Sequence, residues 1–562
     1  MATTSDGPNT VLAPVALYVH FPFCLSVCPY CDFVVYGGRA ARGPDNQVAR
    51  FVDALVTEIE LRGRAAHLGS VYLGGGTPSL LAPQDVARIL AAADDAFGIA
   101  DGAEITIEVN PGPSDRGDLA GFAAAGVNRV SIGVQSTDAG ELARLGRRHS
   151  ATDVVTAVAQ ARAAGIPSIS LDLLYDVPRQ TIASWCASLD VTLALAPDHV
   201  SAYGLTLPDS DGDGGDDHLA PTAGAARWRE RARREQEEDR AADMYELADK
   251  RLERAGLDWY EISNWARPGH ESRHNQVYWH GGAWEAVGPG AHAYDGIATR
   301  RWNAASLELY LQALEAGRLP LGGNSVSAES VAVAESVVLR LRTASGVNIK
   351  ELGDIAEWAA HSGLIEPTAG ERVRLTRRGR LLSNELFERL MPARDATVPQ
   401  MPIEIRRATE DDWQIVRDIR LTALQQAPFA FGSTYERERH FDEQTWRGRL
   451  SNCDGPTFLA FDADVPVGID GVYVEDGEHH LVAMWVAPDA RRSGVGAALT
   501  QAVIDWVAAR GERRLLLGVA EDNEPARKLY ESLGFLLTGN SEPLHSDPSR
   551  LTLEMGLELA RP

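Results

Sequence analysis

The stretch Leu17-Tyr18-Val19-His20-Phe21-Pro22-Phe23-Cys24-Leu25-Ser26-Val27-Cys28-Pro29-Tyr30-Cys31-Asp32-Phe33 organises the N-terminal half. Residues 17–20 read as a short strand, which runs into a loop carrying three cysteines spaced C-x3-C-x2-C. Such a loop can turn three thiolates toward one centre, and thiolates suit iron–sulfur clusters or zinc. A structural zinc site wants four protein ligands, and only His20 stands close enough in sequence to be a fourth. Three thiolates on a four-iron cluster would leave one iron open to a small molecule. The alternatives are a zinc knuckle completed by His20 or a distant ligand, and three buried core cysteines. Cys186 and Cys453 are isolated and read as packing residues, so the five cysteines build no disulfide framework.

Further strands follow. An amphipathic helix is expected over about 46–66. Residues 70–73 form a strand ending in Gly74-Gly75-Gly76-Thr77-Pro78-Ser79, and 105–109 one that carries Glu108 and ends at Asn110-Pro111. Residues 130–134 run into Gln135-Ser136, 168–174 carry Asp172, and 199–203 close the series, with alanine-rich helical segments between. Strand–helix alternation predicts a parallel sheet or partial barrel, and polar residues at the carboxyl ends of parallel strands converge on one mouth.

The chain has 562 residues, which suggests three or four domains at about 150 residues each. A formal charge of −25 disfavours nucleic acid as a partner and allows at most transient membrane contact. No apolar run approaches the roughly 18 residues of a membrane helix, and Met1–Thr10 lacks basic and apolar signal regions. A cytoplasmic, multidomain α/β protein is expected.

The cysteine spacing, with Tyr30 before the last cysteine, resembles the radical S-adenosylmethionine (SAM) superfamily. The resemblance implies a 4Fe-4S cluster on Cys24, Cys28 and Cys31, with SAM on the open iron as the source of a 5′-deoxyadenosyl radical. The wider set HFPFC, CDF, GGGTPS, EVNP, NRVSIGVQS, LGRRH and DLLYDVPRQT resembles the coproporphyrinogen III oxidase-like branch over about residues 15–390. That branch has a partial TIM-like (βα) barrel with a helical, winged C-terminal cap. On its pattern Tyr18, Gly76, Thr77, Pro78 and Glu108 would contact SAM. Tyr30, Gln135, Arg147 and Asp172 would meet the nucleoside or a second SAM-like ligand. Gly76 would let backbone approach the methionine moiety.

Two subfamilies share this core. The oxygen-independent oxidase carries a further cysteine where this chain has Phe33. Relatives with CDF are similar to the HemW-type haem chaperones, which are taken to bind haem and deliver it to an acceptor protein. True coproporphyrinogen III decarboxylation and a non-catalytic haem carrier are the alternatives. The motif His274-Asn275-Gln276-Val277-Tyr278-Trp279 implies haem binding in that family. A neutral imidazole of His274 can ligate iron, with Tyr278 and Trp279 covering a porphyrin face. His270, His280 and His292 are rivals, and His274 could equally be a hydrogen-bonded structural histidine.

Asp176 stands where the family usually has glycine, a possible left-handed position. Residues 208–217 are Asp- and Gly-rich and read as a solvated insertion rather than a calcium loop, because position twelve is Ala220. Core and cap are expected over 15–320 and 321–390, after a flexible 1–14. In the cap a wing-like hairpin and helix carry Arg372, Arg374, Arg377, Arg378 and Arg380. A nucleic-acid-binding wing is the obvious reading, but the overall charge favours a structural lid.

Proline-rich residues 391–402 read as a linker to a separate α+β domain over 403–562. There a strand ends at Val486, and Arg491-Arg492-Ser493-Gly494-Val495-Gly496 opens a helix. Backbone N–H groups at such a turn can cradle a pyrophosphate. The pattern resembles the coenzyme A loop of GNAT acetyltransferases, implying acetyl-CoA as cofactor and a small-molecule or protein amine as acceptor. By the same resemblance Asn523 would contact the cofactor and Tyr530 would protonate the leaving thiolate. Glu475, Asp470 and His480 are the candidate bases.

Overall fold

The computed structural model describes residues 12–42, 46–207, 223–392, 403–426, 433–451, 455–462, 465–475, 477–487, 490–491, 494–521, 523–544 and 547–559. The Asp-rich segment 208–222, Cys453, Arg492 and Ser493 lie outside them. The chain divides into two compact units, Met1–Ala393 and Arg394–Pro562.

The first unit is built on one twelve-stranded sheet. Its strands are β1 (Ala16–Phe21), β2 (Leu68–Gly75), β3 (Ile99–Val109), β4 (Arg129–Gln135), β5 (Ser168–Tyr175), β6 (His199–Gly204), β7 (Asp258–Glu261), β8 (Asn264–Ala266), β9 (Trp284–Val287), β10 (His292–Tyr294), β11 (Thr299–Asn303) and β12 (Leu321–Val326). The order is β12-β11-β10-β9-β1-β2-β3-β4-β5-β6-β8-β7. The run from β9 to β6 is parallel, and both flanks are antiparallel. The sheet is therefore the expected partial barrel, with β12 and β7 as its two edges.

Apolar positions build it as their spacing predicts. Val71 and Leu73 of β2 are fully buried, as are Phe51, Val52, Leu55 and Ile59 on one face of the helix Val48–Arg62. Ser150 and Thr181 each close a capping box at the start of a crossover helix, satisfying its first N–H groups. Strand β12 falls beyond residue 320, where the cap was expected to begin. Pairing with β11 makes it the outer strand of the core sheet.

Asp176 does occupy the left-handed region, at φ 56°. Its carboxylate accepts from Arg240 Nη2 at 2.6 Å, an ion pair that offsets the strain of a non-glycine residue there. The cap holds β13 (Val347–Asn348), β14 (Ile365–Pro367) and β15 (Arg372–Leu375), and the hairpin of the last two leads into the helix Arg377–Leu381. Four of its five arginines have partners within the unit, and Arg378 is exposed. Arg380 forks onto Asp249 with two bonds of 2.8 Å and lies 4.4 Å from the centre of the Trp259 ring. Arg377 also donates to Asp249, Arg374 pairs with Glu366, and Arg372 donates to the carbonyls of Ser345 and Gly346. The basic run docks the cap and reads as the structural lid.

The second unit is a seven-stranded sheet of β16 (Glu404–Arg407), β17 (Thr457–Asp462), β18 (Val465–Glu475), β19 (Glu478–Val486), β20 (Arg514–Ala520), β21 (Leu536–Leu544) and β22 (Asp547–Glu558). The order is β16-β17-β18-β19-β20-β22-β21. Among the described residues only β19 and β20 pair in parallel, and their register ends at Leu481 opposite Leu517. Beyond that point β19 continues to Val486 and β20 to Ala520 without further pairing to each other among the described residues.

Candidate functional site

The carboxyl ends of the parallel strands enclose a cavity of about 520 Å³. Cys24, Cys28, Cys31, Tyr30, Gly76, Thr77, Glu108, Gln135, Arg147 and Asp172 all line it. Strand register explains the convergence: Glu108 lies beside Ser131, and Gly133 beside Asp172. Gln135 lies at φ 62°, where the pairing of β4 with β5 shifts register.

The three cysteines are half-buried, and burial pushes the Cys24 thiol up to about 11 and Cys31 up to about 12. Such thiols ionise readily only beside a metal or cation. Thr77 Oγ1 donates to Cys24 Sγ at 3.4 Å, and the Arg147 guanidinium approaches Cys28 Sγ at 3.9 Å. Arg229, on the helix Ala223–Arg233, donates to the carbonyls of Pro29 (3.1 Å) and Cys31 (2.6 Å), pinning the loop from outside. Among the described residues no three Cys, His, Asp or Glu side chains converge on a single ion. A cubane cluster takes one thiolate on each of three different irons, and the three cysteines lining one cavity fit such a cluster. His20 offers no fourth ligand: Nε2 donates to the Val34 carbonyl (2.8 Å), and Nδ1 accepts from the Tyr18 hydroxyl (3.0 Å).

Beside the cysteines, Glu108 accepts from the Tyr72 hydroxyl at 2.9 Å and from Gly75 N–H at 3.0 Å. Burial, opposed by these donors, pushes its carboxyl up to about 7. Burial also raises Asp172, against donation from Ser131 Oγ at 2.7 Å. Arg147 donates to Asn110 Oδ1 at 2.6 Å and to the Gly133 carbonyl at 2.8 Å. Gly76 lines the cavity and is also closely packed within the chain. A Cβ there would lie 2.8 Å from the carbonyls of Phe21 and Phe23, so the close approach is to the chain's own cysteine loop. Pro78 is buried at the start of the short turn Pro78–Leu80 and is not among the cavity's lining residues. Tyr72, Asn110, Arg129, Ser131, Tyr203 and Asn275 also line the cavity. Sequence reasoning named Asn110 only as a strand end and Asn275 only within the haem motif, and assigned no role to Tyr72, Arg129, Ser131 or Tyr203, although Tyr72, Ser131 and Tyr203 lie on strands it located.

A second cavity, about 430 Å³, adjoins the first and shares Asp32, Phe33, Tyr72, Glu108, Tyr203 and Asn275 with it. Its further walls are Tyr18, His20, His274, Tyr278, Trp284 and His292. His274 is buried, with Nδ1 3.0 Å from Ser70 Oγ and Nε2 2.7 Å from the Tyr278 hydroxyl. Burial pushes it down to about 3, so it is neutral. Trp279 packs under the Arg342 guanidinium at 4.6 Å, and the indole on the cavity wall is Trp284.

Residues 18–190 match the Radical SAM superfamily, and 416–535 match the Acetyltransferase (GNAT) family. The protein named heme chaperone HemW of Mycobacterium tuberculosis H37Rv is 38% identical over 387 residues, covering 67% of this chain and 95% of that protein. The chain belongs to the HemW family of radical SAM proteins. The HemW of Synechocystis is 37% identical over 354 residues, covering 62% of this chain and 82% of that protein. The solved coproporphyrinogen III oxidase HemN of Escherichia coli shares the fold, with a TM-score of 0.56 and 23% identity over 67% of this chain and 90% of that one. The chain thus joins a HemW-family module to a GNAT domain.

Beyond the HemW module, Gly494 caps the helix Val495–Ala509 at φ 89°. Arg491 Nε donates to the Val486 carbonyl at 3.0 Å, which closes the turn. Val486 and Val495 are buried, and a Cβ at Gly496 would lie 3.1 Å from Met484 Cε, so these three pack the turn against the sheet. Asn523 caps the helix Glu524–Ser532 through Ala526 N–H at 3.3 Å. Tyr530 is buried against Phe535, its ring centre 5.8 Å away, and burial with the Asp470 carboxyl nearby raises its hydroxyl. Burial likewise raises the Asp470 carboxyl; of the other two candidate bases Glu475 is exposed and His480 half-buried.

Proposed function

We propose that the N-terminal unit carries a 4Fe-4S cluster on Cys24, Cys28 and Cys31, binds SAM beside it, and holds haem for transfer to an acceptor protein in the cytoplasm. The observation that carries this reading is a pair of adjoining cavities with six lining residues in common, one lined by all three cysteines and the other by Tyr18, Tyr278 and Trp284. Bound there, the cluster and SAM supply one-electron chemistry. The chain's own residues set the surroundings. Glu108 and Asp172 accept hydroxyl or ammonium donors, Arg147 faces a carboxylate, and Thr77 with Gln135 lines the floor. The test is anaerobic reconstitution followed by iron and sulfide assay, then a haem titration. Zinc in place of iron and sulfide, or no haem bound, refutes it.

We propose further that the C-terminal unit acylates an amine from acetyl-CoA. The turn from Arg491 to Gly496 and the N-terminus of the helix after it would receive the pyrophosphate. The Tyr530 hydroxyl would return a proton to the departing thiolate. In an assay of thiol release with a panel of amines, Tyr530→Phe should lose about 10²-fold in kcat with the KM for acetyl-CoA within twofold. An unchanged kcat removes Tyr530 from the mechanism.

A further inference from the structure

Two of the three cluster cysteines have a side-chain donor aimed at their sulfur from outside the cysteine loop. Thr77 Oγ1 donates to Cys24 Sγ at 3.4 Å, and Arg147 Nη1 approaches Cys28 Sγ at 3.9 Å. These donors come from separate parts of the chain, and one residue joins them. Asn110, directly after β3, donates through Nδ2 to Thr77 Oγ1 at 3.0 Å and accepts at Oδ1 from Arg147 Nη2 at 2.6 Å.

The surroundings leave the Asn110 amide one orientation. A guanidinium only donates, so the atom that meets Arg147 is the amide oxygen. The nitrogen then faces Thr77, and it also meets Asp115 Oδ2 at 3.2 Å. That orientation decides what the threonine does. Receiving a bond from Asn110, the Thr77 hydroxyl keeps its own proton for Cys24. The backbone is held as well: Asn110 N–H donates to Ser79 Oγ at 3.4 Å, and Ser79 Oγ donates to the Asp115 carbonyl at 2.5 Å. Arg147 Nη2 also donates to the Gly133 carbonyl at 2.8 Å, where a Cβ on the glycine would lie 2.9 Å from the same nitrogen. Thr77 and Ser79 are buried.

Reduction adds negative charge to a cluster. A hydrogen-bond donor at a ligating sulfur, and a cation still more, stabilises that charge and raises the reduction potential. Groups behind metal ligands act in this way only when they are themselves held in place.

We propose that Asn110 is a positioning residue: its amide holds Thr77 and Arg147 against the sulfurs of Cys24 and Cys28 and so raises the reduction potential of a 4Fe-4S cluster on this loop. The proposal rests on the cluster reading above. The change concerned is the gain of one electron by the oxidised cluster, with no bond made or broken in the chain.

The experiment is a potentiometric titration of the whole chain, reconstituted anaerobically without SAM. Dithionite supplies the electron, and the electron paramagnetic resonance signal of the reduced cluster is the readout. Iron and sulfide content and circular dichroism control for loading and fold. Asn110→Ala and Thr77→Val should each make the cluster about tenfold harder to reduce, a fall of about 59 mV for one electron. Thr77→Ser, which keeps the hydroxyl, should hold the wild-type midpoint. The double variant should shift the midpoint by less than the two single shifts added, because Asn110 acts in part through Thr77. If Asn110→Ala does not load, Asn110→Ser, too short to span Thr77 and Arg147, is read by the same criteria. A reduction equilibrium that changes less than twofold in a loaded Asn110 variant overturns the proposal. So do a strictly additive double variant, a Thr77→Ser chain that behaves like Thr77→Val, and loss of iron from both Asn110 variants, which would mark a purely structural role. A wild-type chain that holds no iron and sulfide overturns the cluster reading itself.

Discussion

The Tyr72 hydroxyl donates to Glu108 Oε1 across 2.9 Å, joining side chains from neighbouring parallel strands at the floor of the cavity. Burial drives the Glu108 carboxyl up to about 7, and the Tyr72 donor restrains that rise. Glu108 accepts donors best when ionised, so SAM affinity should increase from pH 6 to pH 8 with a midpoint near 7. Tyr72→Phe should move that midpoint upward. Glu108→Gln should weaken SAM roughly 10- to 100-fold, the worth of a hydrogen bond to a charged group, without loss of iron. Equilibrium dialysis across this range checks it; a flat profile in wild type is the contrary result.

Arg229 ties two carbonyls of the cysteine loop to a helix some 200 residues away in sequence. Arg229→Ala should leave the circular dichroism spectrum intact. Its cluster, followed by absorbance on exposure to air, should bleach several times faster than wild type. Equal bleaching rates would show that the loop holds its shape unaided.

The cap should be sensitive to Arg380. Its fork onto Asp249 is buried, so Arg380→Ala strands a carboxylate and should cost about 3 kcal/mol in denaturant unfolding of the first unit. Arg380→Lys should recover less than half of that, since an ammonium cannot reproduce two parallel bonds. Full recovery by lysine would reduce the contact to simple charge.

Acid should destabilise the first unit well above the pH at which carboxylates titrate. Burial pushes His20 and His149 down to about 4 and His274 to about 3, from 6.5 in the unfolded chain. Between these values the unfolded state binds more protons, so folding stability falls as pH drops from 6.5 toward 4. At pH 5 each histidine accounts for roughly 2 kcal/mol. Thermal melts at pH 7, 6 and 5 should show a steady decline in Tm, reduced in His149→Gln. A Tm constant to pH 5 would contradict the burial of these rings.

Much of this architecture follows from local rules. Six parallel strands, the crossover helices and the cysteine loop are legible because hydrophobic period, caps and glycine turns depend on neighbours a few residues away. The left-handed turn at Asp176 is legible for the same reason. The members of the SAM cavity could be named because strand ends of a parallel sheet must converge.

The surroundings of His274 and of the cap arginines were decided only in three dimensions. A histidine's chemistry depends on what its two nitrogens meet, and His274 meets Ser70, which is 204 residues away. Trp279, expected over a porphyrin face, lies at a helix end under Arg342, and Trp284, on a strand, is the indole on the cavity wall. The basic run of the cap becomes an internal clamp once Asp249 is brought beneath it. Spacing along the chain encodes which elements form, whereas partners across the fold determine which polar groups are satisfied and which remain available to a ligand.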